Sequence, residues 1–165
     1  KATRAAIAFA LSNVQNGISF TLTENLARDG TPKPGYFYAI VDDGSGNPPD
    51  ELIDRAYRAI DAVRGFTITF GVFSPDKIIA NVILSLISAE GADHAKVVEL
   101  VEHAIKDYIQ SLKLGQLLAY TQLVRVAYAA SPLVTNVTSV SLNGATADLA
   151  ASPAQVIRKG DITVS

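Results

Sequence analysis

Apolar positions along this chain follow two rhythms, one helical and one alternating, and their order predicts the elements. Ala6, Ile7, Ala10, Leu11 and Val14 recur at the spacing of one helical face, which predicts a helix over Ala2–Val14 ended by Asn16-Gly17. Ile18, Phe20 and Leu22 then alternate with Ser19, Thr21 and Thr23, the pattern of a half-buried strand. Ala27–Pro34 is polar and rich in glycine and proline, a loop, and Tyr36–Val41 is aromatic and β-branched, a second strand. The turn cluster Asp42–Pro49 leads into a helix over Pro48–Val63, with Asn47 as its cap and Asp50, Glu51 and Asp54 near its positive end. Leu52, Ile53, Ala56, Tyr57, Ile60 and Val63 form its apolar stripe, and Gly65 stops it.

The second half opens on Phe66–Val72, where Phe66, Ile68, Phe70 and Val72 alternate with Thr67, Thr69 and Gly71. A turn at Ser74-Pro75-Asp76 precedes a long strand, Ile78–Ser88, whose mixed polarity implies partial cover on both faces. A helix over Asp93–Ser111 carries Val97, Val98, Val101, Ala104, Ile105, Tyr108 and Ile109 on one side, and Leu114-Gly115 ends it. A shorter helix over Thr121–Ala130 closes at Ser131-Pro132. Asn136–Leu142 reads as a strand, Asn143-Gly144 as a turn, and Asp161–Val164 as a last edge strand. The expected class is α+β, in two small consecutive units. Helix-strand-strand-helix occupies 1–65, strand-strand-helix-helix-strand occupies 66–147, and 148–165 is a tail with the edge strand. The helix–loop–strand of Thr3–Glu24 echoes that of Thr121–Asn143, an echo that alternation alone can also produce.

Composition narrows the functional classes. The chain has 165 residues, 48% hydrophobic and 18% charged, which suits one ordinary domain or two small ones and argues against a disordered chain. The net charge is -2 with Lys and Arg scattered, so no basic stripe marks a nucleic-acid partner. With no cysteine there is no disulfide, thiol nucleophile or thiolate metal site. The apolar stretches Ile78–Ala89 and Leu117–Leu133 are broken by Asn81, Ser85, Arg125 and Pro132, shorter than a bilayer-spanning helix needs. No signal-peptide pattern opens the chain, so no membrane partner is expected. It opens on Lys1 without methionine and reads as helix almost at once, as a piece of a longer protein would.

Candidate chemistry is sparse. Glu99, His103 and Asp107 stand one turn apart on the long helix, a row that reads either as a metal or acid/base site or as a solvated face of i, i+4 pairs; the second reading is favoured. His94 follows Asp93 in the first turn. Asp42-Asp43-Gly44-Ser45-Gly46-Asn47 is the most site-like stretch: Asp43, Ser45, Asn47 and Asp54 have the spacing of a calcium loop, but Pro48 stands where a glycine is needed. Gly44-x-Gly46 between strand and helix suggests a phosphate loop, but no third glycine or Lys-Ser/Thr follows. Asp42 and Asp43, adjacent on a strand, point to opposite faces and make a poor acid/base pair. No Gly-x-Ser-x-Gly elbow occurs. The sequence therefore assigns no catalytic, cofactor-binding or metal-binding residue, and no small-molecule substrate is expected.

A set of local phrases, in order, carries a resemblance. Thr3-Arg4-Ala5-Ala6-Ile7 runs into Asn16-Gly17-Ile18, and Glu24-Asn25 closes the strand. Pro34-Gly35-Tyr36 leads to Val41-Asp42-Asp43-Gly44, and a helix ends in Val63-Arg64-Gly65. The Ile78–Ser88 strand, Gly91-Ala92-Asp93, Tyr108-Ile109 and Leu114-Gly115 follow. Pro153-Ala154-Gln155-Val156-Ile157 and Gly160-Asp161-Ile162-Thr163-Val164 complete the series. Through these loose patterns nearly the whole chain resembles the C-terminal half of baseplate J-like proteins, wedge components of contractile phage tails and related injection systems. The resemblance implies a non-enzymatic scaffold in a virion tail baseplate, made in the bacterial host cytoplasm. Its implied partners are other wedge proteins and copies of itself. The alternative left by the residues is a regulatory α+β domain binding a small molecule or cation at Asp42–Asn47.

Overall fold

The computed structural model describes residues 3–165. Its elements follow the order read from the sequence, and the chain divides into two units. The first runs to Lys77 and takes in Pro153–Gln155; the second is Ile78–Ser152 with Val156–Ser165.

In the first unit, α1 (Arg4–Ser12) starts where the Thr3 hydroxyl accepts the Ala6 N–H at 3.3 Å. It stops short of the expected Val14 because the side chains of Ser12 and Asn13 both donate to the Phe9 carbonyl, at 2.8 and 2.9 Å. Ala2, the expected first helical residue, lies outside the described residues. β1 (Ser19–Leu26) and β2 (Pro32–Asp42) pair antiparallel, Ser19 opposite Asp42 and Glu24 opposite Phe37. The loop expected over Ala27–Pro34 is tighter than that, a hairpin closed by Ala27 N–H to Thr31 O and Gly30 N–H to Ala27 O, both 2.9 Å. Pro32 and Pro34 fit the exposed start of β2. The Thr31 hydroxyl and N–H donate to Asp29 Oδ1 at 2.7 and 3.0 Å, and these bonds hold the Asp29 carboxyl below its ordinary pKa.

The crossover to β3 (Thr69–Phe73), which lies parallel to β2, is made by α2 (Asp50–Asp61). Helix α2 begins later than Pro48 because a residue before proline is pushed out of the helical region, and Pro48 precedes Pro49. Pro49 is therefore the cap residue, and Asn47, the expected cap, donates its N–H to Ser45 Oγ at 3.0 Å instead. Phe37, Ala39 and Val41 on β2 pack with Ile7, Leu11, Leu52, Ala56, Ile60 and Val72 to form one core. Phe70 extends it, stacked on Phe37 at 5.5 Å and on Tyr57 at 4.5 Å.

Two assignments made from the sequence move here. Phe66, expected to open a buried strand, is fully exposed: Ile68 N–H turns back to Gly65 O at 3.1 Å, and the ladder with β2 begins only at Thr69. The strand assigned to the second unit thus belongs to the first sheet, and the division falls after Lys77 instead of at Gly65. Alternation announces a strand without naming the neighbour it will pair with.

In the second unit the sheet order is β5-β4-β6, with β4 (Asp76–Ser88) central, β5 (Val134–Leu142) antiparallel to it and β6 (Gln155–Val164) at the other side. Ser165 N–H donates to Leu84 O at 3.1 Å and Leu86 N–H to Ser165 O at 2.8 Å, the bonding pattern of a parallel pair. The segment from 148 is therefore no separate tail: apart from Pro153–Gln155 it belongs to the second unit, where β6 is an edge strand as expected. α3 (His94–Gln110) and α4 (Tyr120–Ala130) lie between β4 and β5 in the chain. Asp93 caps α3, accepting the Lys96 N–H, whereas α4 has no local cap and takes Asp148 Oδ1 onto the Tyr120 N–H at 2.7 Å. Val97, Val101, Ile105 and Ile109 of α3 with Leu123, Val126 and Ala127 of α4 bury Ala80, Val82, Leu84 and Leu86 of β4.

The echo between the halves has a structural counterpart. In each unit a helix leads into an edge strand (α1 into β1, α4 into β5) that runs antiparallel to the central strand.

Candidate functional site

The Asp42–Asn47 loop is shaped by its own hydrogen bonds. Asp42, the last residue of β2, is wholly buried and accepts the Gly46 N–H at 2.9 Å. Asp43 Oδ1 accepts both the N–H and the hydroxyl of Ser45, and Ser45 Oγ in turn accepts the Asn47 N–H. Gly44 and Gly46, at φ 100° and 75°, allow the backbone to double back. The oxygens a calcium ion would take are thus turned onto local N–H groups, and Asp54 lies exposed on α2. Among the described residues no group of three or more His, Asp or Glu side chains comes together as a metal site.

The α3 row is a solvated face. His103 Nε2 lies 3.1 Å from Asp107 Oδ2 with both side chains about 70% exposed (75% and 69%), and Lys106 donates to Glu102 at 2.6 Å one turn along. Glu99 is exposed beside them, and His94 Nδ1 is engaged with Ser88 Oγ at 2.7 Å. A shallow cleft in the first unit, lined by Arg4, Glu24, Asn25, Tyr36 and Ile68, was not legible beforehand. Its charges answer one another: Arg4 donates to Leu22 O at 3.2 Å and stands 3.8 Å from Glu24. Burial, and then the neighbouring Tyr38, push the Tyr36 phenol above its ordinary pKa.

What the molecule offers outward is surface. The β4 positions that face away from the second core are Ile79, Asn81, Ile83, Ser85 and Ile87, with the three isoleucines 45%, 55% and 54% exposed. The cover expected on both faces of this strand is present on one only, because both helices of the unit pack on the same side. Paired with this row on β5 are Ser141, Thr138 and Asn136. Across from it Asn81 Oδ1 accepts the Asp161 N–H at 2.9 Å and Ser85 Oγ meets Ser165 Oγ at 3.0 Å. Gly160 leaves room for this stitch: a Cβ there would overlap the Asn81 amide oxygen and Ile79 Cγ2.

The two edges of this sheet differ. On β5 the Tyr120 hydroxyl donates to Val140 O at 2.7 Å, and Val137 N–H is met by Tyr128 Oη at 3.3 Å and Asn136 Oδ1 at 2.9 Å. These closures protect an edge against indiscriminate pairing. On β6 the first half is held to the end of α3, Lys159 N–H to Gln110 Oε1 at 3.0 Å and Arg158 Nη1, buried, to Leu112 O at 2.9 Å. None of these roles for Tyr120, Tyr128, Asp148 or Arg158 had a sequence signal beyond residue type, because each partner lies outside the residue's own element.

Residues 80–165 match the family model described as baseplate J-like protein C-terminal domain. No curated protein matches the chain in sequence at a significant level. Among solved structures the chain is similar to a protein in a cryo-EM structure of the anti-feeding prophage baseplate, 6-fold symmetrised, with a TM-score of 0.68 at 15% identity. That likeness covers 96% of this chain and 37% of the other, so the chain spans little more than a third of that protein's length. It is a likeness of fold.

Proposed function

The chain belongs to the baseplate J-like family, and from that premise we propose that it serves as a structural module of a phage-type tail baseplate, working through contacts with neighbouring proteins. The observation that carries this reading is the family match over the whole second unit apart from its first residues, with the fold likeness to a baseplate protein extending over nearly the entire chain. The surfaces suit such work. An unlidded sheet face with three exposed isoleucines recognises by shape and apolar contact, while the polar loop and helix rows are occupied by their own hydrogen bonds. The reading assigns the chain no reaction, and its partners are other wedge proteins and further copies of itself. Its place is the tail baseplate of a particle assembled in a bacterial host.

The test is genetic and structural. Deleting the segment from a particle-producing gene cluster should yield no complete baseplates by electron microscopy, with restoration by the segment supplied on a plasmid. Intact, functional particles after deletion contradict the proposal.

A further inference from the structure

We propose that the turn carrying Asn16-Gly17 is a site of spontaneous covalent modification, where the asparagine is converted to aspartate and isoaspartate, and that the fold protects the chain's other Asn-Gly pair from the same reaction. The following residue controls this chemistry. The Gly17 backbone nitrogen, on losing its proton to hydroxide, attacks Asn16 Cγ. The N–Cγ bond forms, the Cγ–Nδ2 bond breaks, and ammonia leaves with a proton taken from water. Water then opens the succinimide ring, giving aspartate when the ring nitrogen leaves Cγ and isoaspartate when it leaves the backbone carbonyl carbon. The sum consumes water and releases ammonia. A Cβ on the attacking residue obstructs the first step, and glycine has none. Asn13, Asn25, Asn81 and Asn136 precede valine or leucine, and Asn47 precedes proline, which has no N–H to lose. Asn16 and Asn143 are left.

The structure separates these two. Both asparagines are exposed, and at Gly17 and Gly144 alike the space a Cβ would take is open among the described residues. Hydrogen bonding is what differs. Asn16 and Gly17 form the middle of a turn closed by one long bond, Ile18 N–H to Gln15 O at 3.4 Å, with Gly17 at φ 77°. Among the described residues no hydrogen bond holds the Asn16 amide or the Gly17 N–H. The turn is anchored beside them instead, where Arg55 of α2 donates to Val14 O at 3.4 Å and to Gln15 Oε1 at 2.8 Å.

Asn143 and Gly144, at φ 51° and 75°, are the central pair of a tight hairpin closed by Ala145 N–H to Leu142 O at 3.0 Å and Leu142 N–H to Ala145 O at 2.8 Å. Here the asparagine amide serves as an extra peptide group beside β4. Its Oδ1 accepts the Asn81 N–H at 2.8 Å, and its Nδ2 donates to Ile79 O at 3.1 Å. Both bonds must open before Asn143 Cγ can turn to the Gly144 nitrogen. Two bonds of ordinary net strength make this site about thirtyfold slower than Asn16. At Asn16 the reaction is one-way: it adds a negative charge to a chain of net charge -2, and the isoaspartate product lengthens the backbone between α1 and β1 by the Cβ atom.

The test is to hold the folded protein in mildly alkaline buffer and locate deamidation by peptide fragmentation in a mass spectrometer, with isoaspartyl methyltransferase labelling to identify isoaspartate. Asn16 should convert about thirtyfold faster than Asn143, and the two rates should draw together in denaturant. Asn16→Gln keeps an amide but would have to close a larger ring, so it should abolish the fast release of ammonia. Equal rates at Asn16 and Asn143 in the folded protein, or faster conversion at Asn143, overturn the proposal. So does an Asn16 that stays intact when folded while the denatured chain reacts at both sites, or an Asn16→Gln variant that releases ammonia at the parent's rate. These outcomes leave the baseplate reading untouched.

Discussion

The central strands of the two sheets make the sharpest contrast in the molecule. From Phe37 to Asp42 every residue of β2 is buried, whereas from Ala80 to Leu86 β4 alternates between buried and outward positions. Both strands have an antiparallel neighbour on one side and a parallel one on the other, and both have two helices packed on one face. The difference is on the second face, where β2 holds Tyr38, Ile40 and Asp42 out of solvent and β4 leaves Ile79, Ile83 and Ile87 half in it. Similarly placed strands therefore differ in what they can do: the one closed on both faces is interior, and the one open on a face has something left to offer a partner.

Substitution can break that contrast. Ile40→Ala should cost about 2–5 kcal/mol in denaturant unfolding, since Ile40 is wholly buried. Ile83→Ala, an equivalent truncation on β4, should stay within about 0.5 kcal/mol of the parent. Equal losses at the two positions would show that the faces are not differently covered. Gly160→Ala, which drives a methyl group into Asn81 and Ile79, should cost about 1–3 kcal/mol. A neutral result there would mean the β4–β6 stitch relaxes freely.

Smaller effects sharpen the picture. Tyr120→Phe removes the hydroxyl that closes Val140 O on the β5 edge and should cost about 1 kcal/mol. If the protected edge matters for solubility, this variant also aggregates faster than Ile83→Ala. The smallest effect concerns Tyr36. Its phenol titrates higher in the folded chain than in the unfolded one, so its contribution to stability is complete below the unfolded tyrosine value and is lost as pH rises through the folded value. Melting temperature should therefore fall more steeply at alkaline pH in the parent than in Tyr36→Phe. Parallel curves would contradict this.

Much of this fold was legible in the sequence, for a physical reason. The spacing of Leu52, Ala56 and Ile60, or of Val97, Val101, Ile105 and Ile109, is set by the geometry of one element, and all of these residues are buried as read. Pairing was not legible. Thr69–Phe73 carries no mark that its neighbour is β2, and the first half of β6, residues 155–160, hides behind Arg158 and Lys159, whose charges mask its alternation. The cap of α4 failed in the same way, since Asp148 is far along the chain from Tyr120. The outward face of β4 misled in another manner: its isoleucines imply cover, and cover supplied by another molecule leaves the same signature as cover supplied by the chain itself.

The central claim is that this chain works by joining a baseplate, and the most direct measurement is mass in solution. Light scattering on the protein should be done alone and then with the neighbouring proteins of its tail system. The structural account predicts discrete larger complexes when those proteins are added. A mass that stays that of the free protein under every mixture and concentration would contradict it.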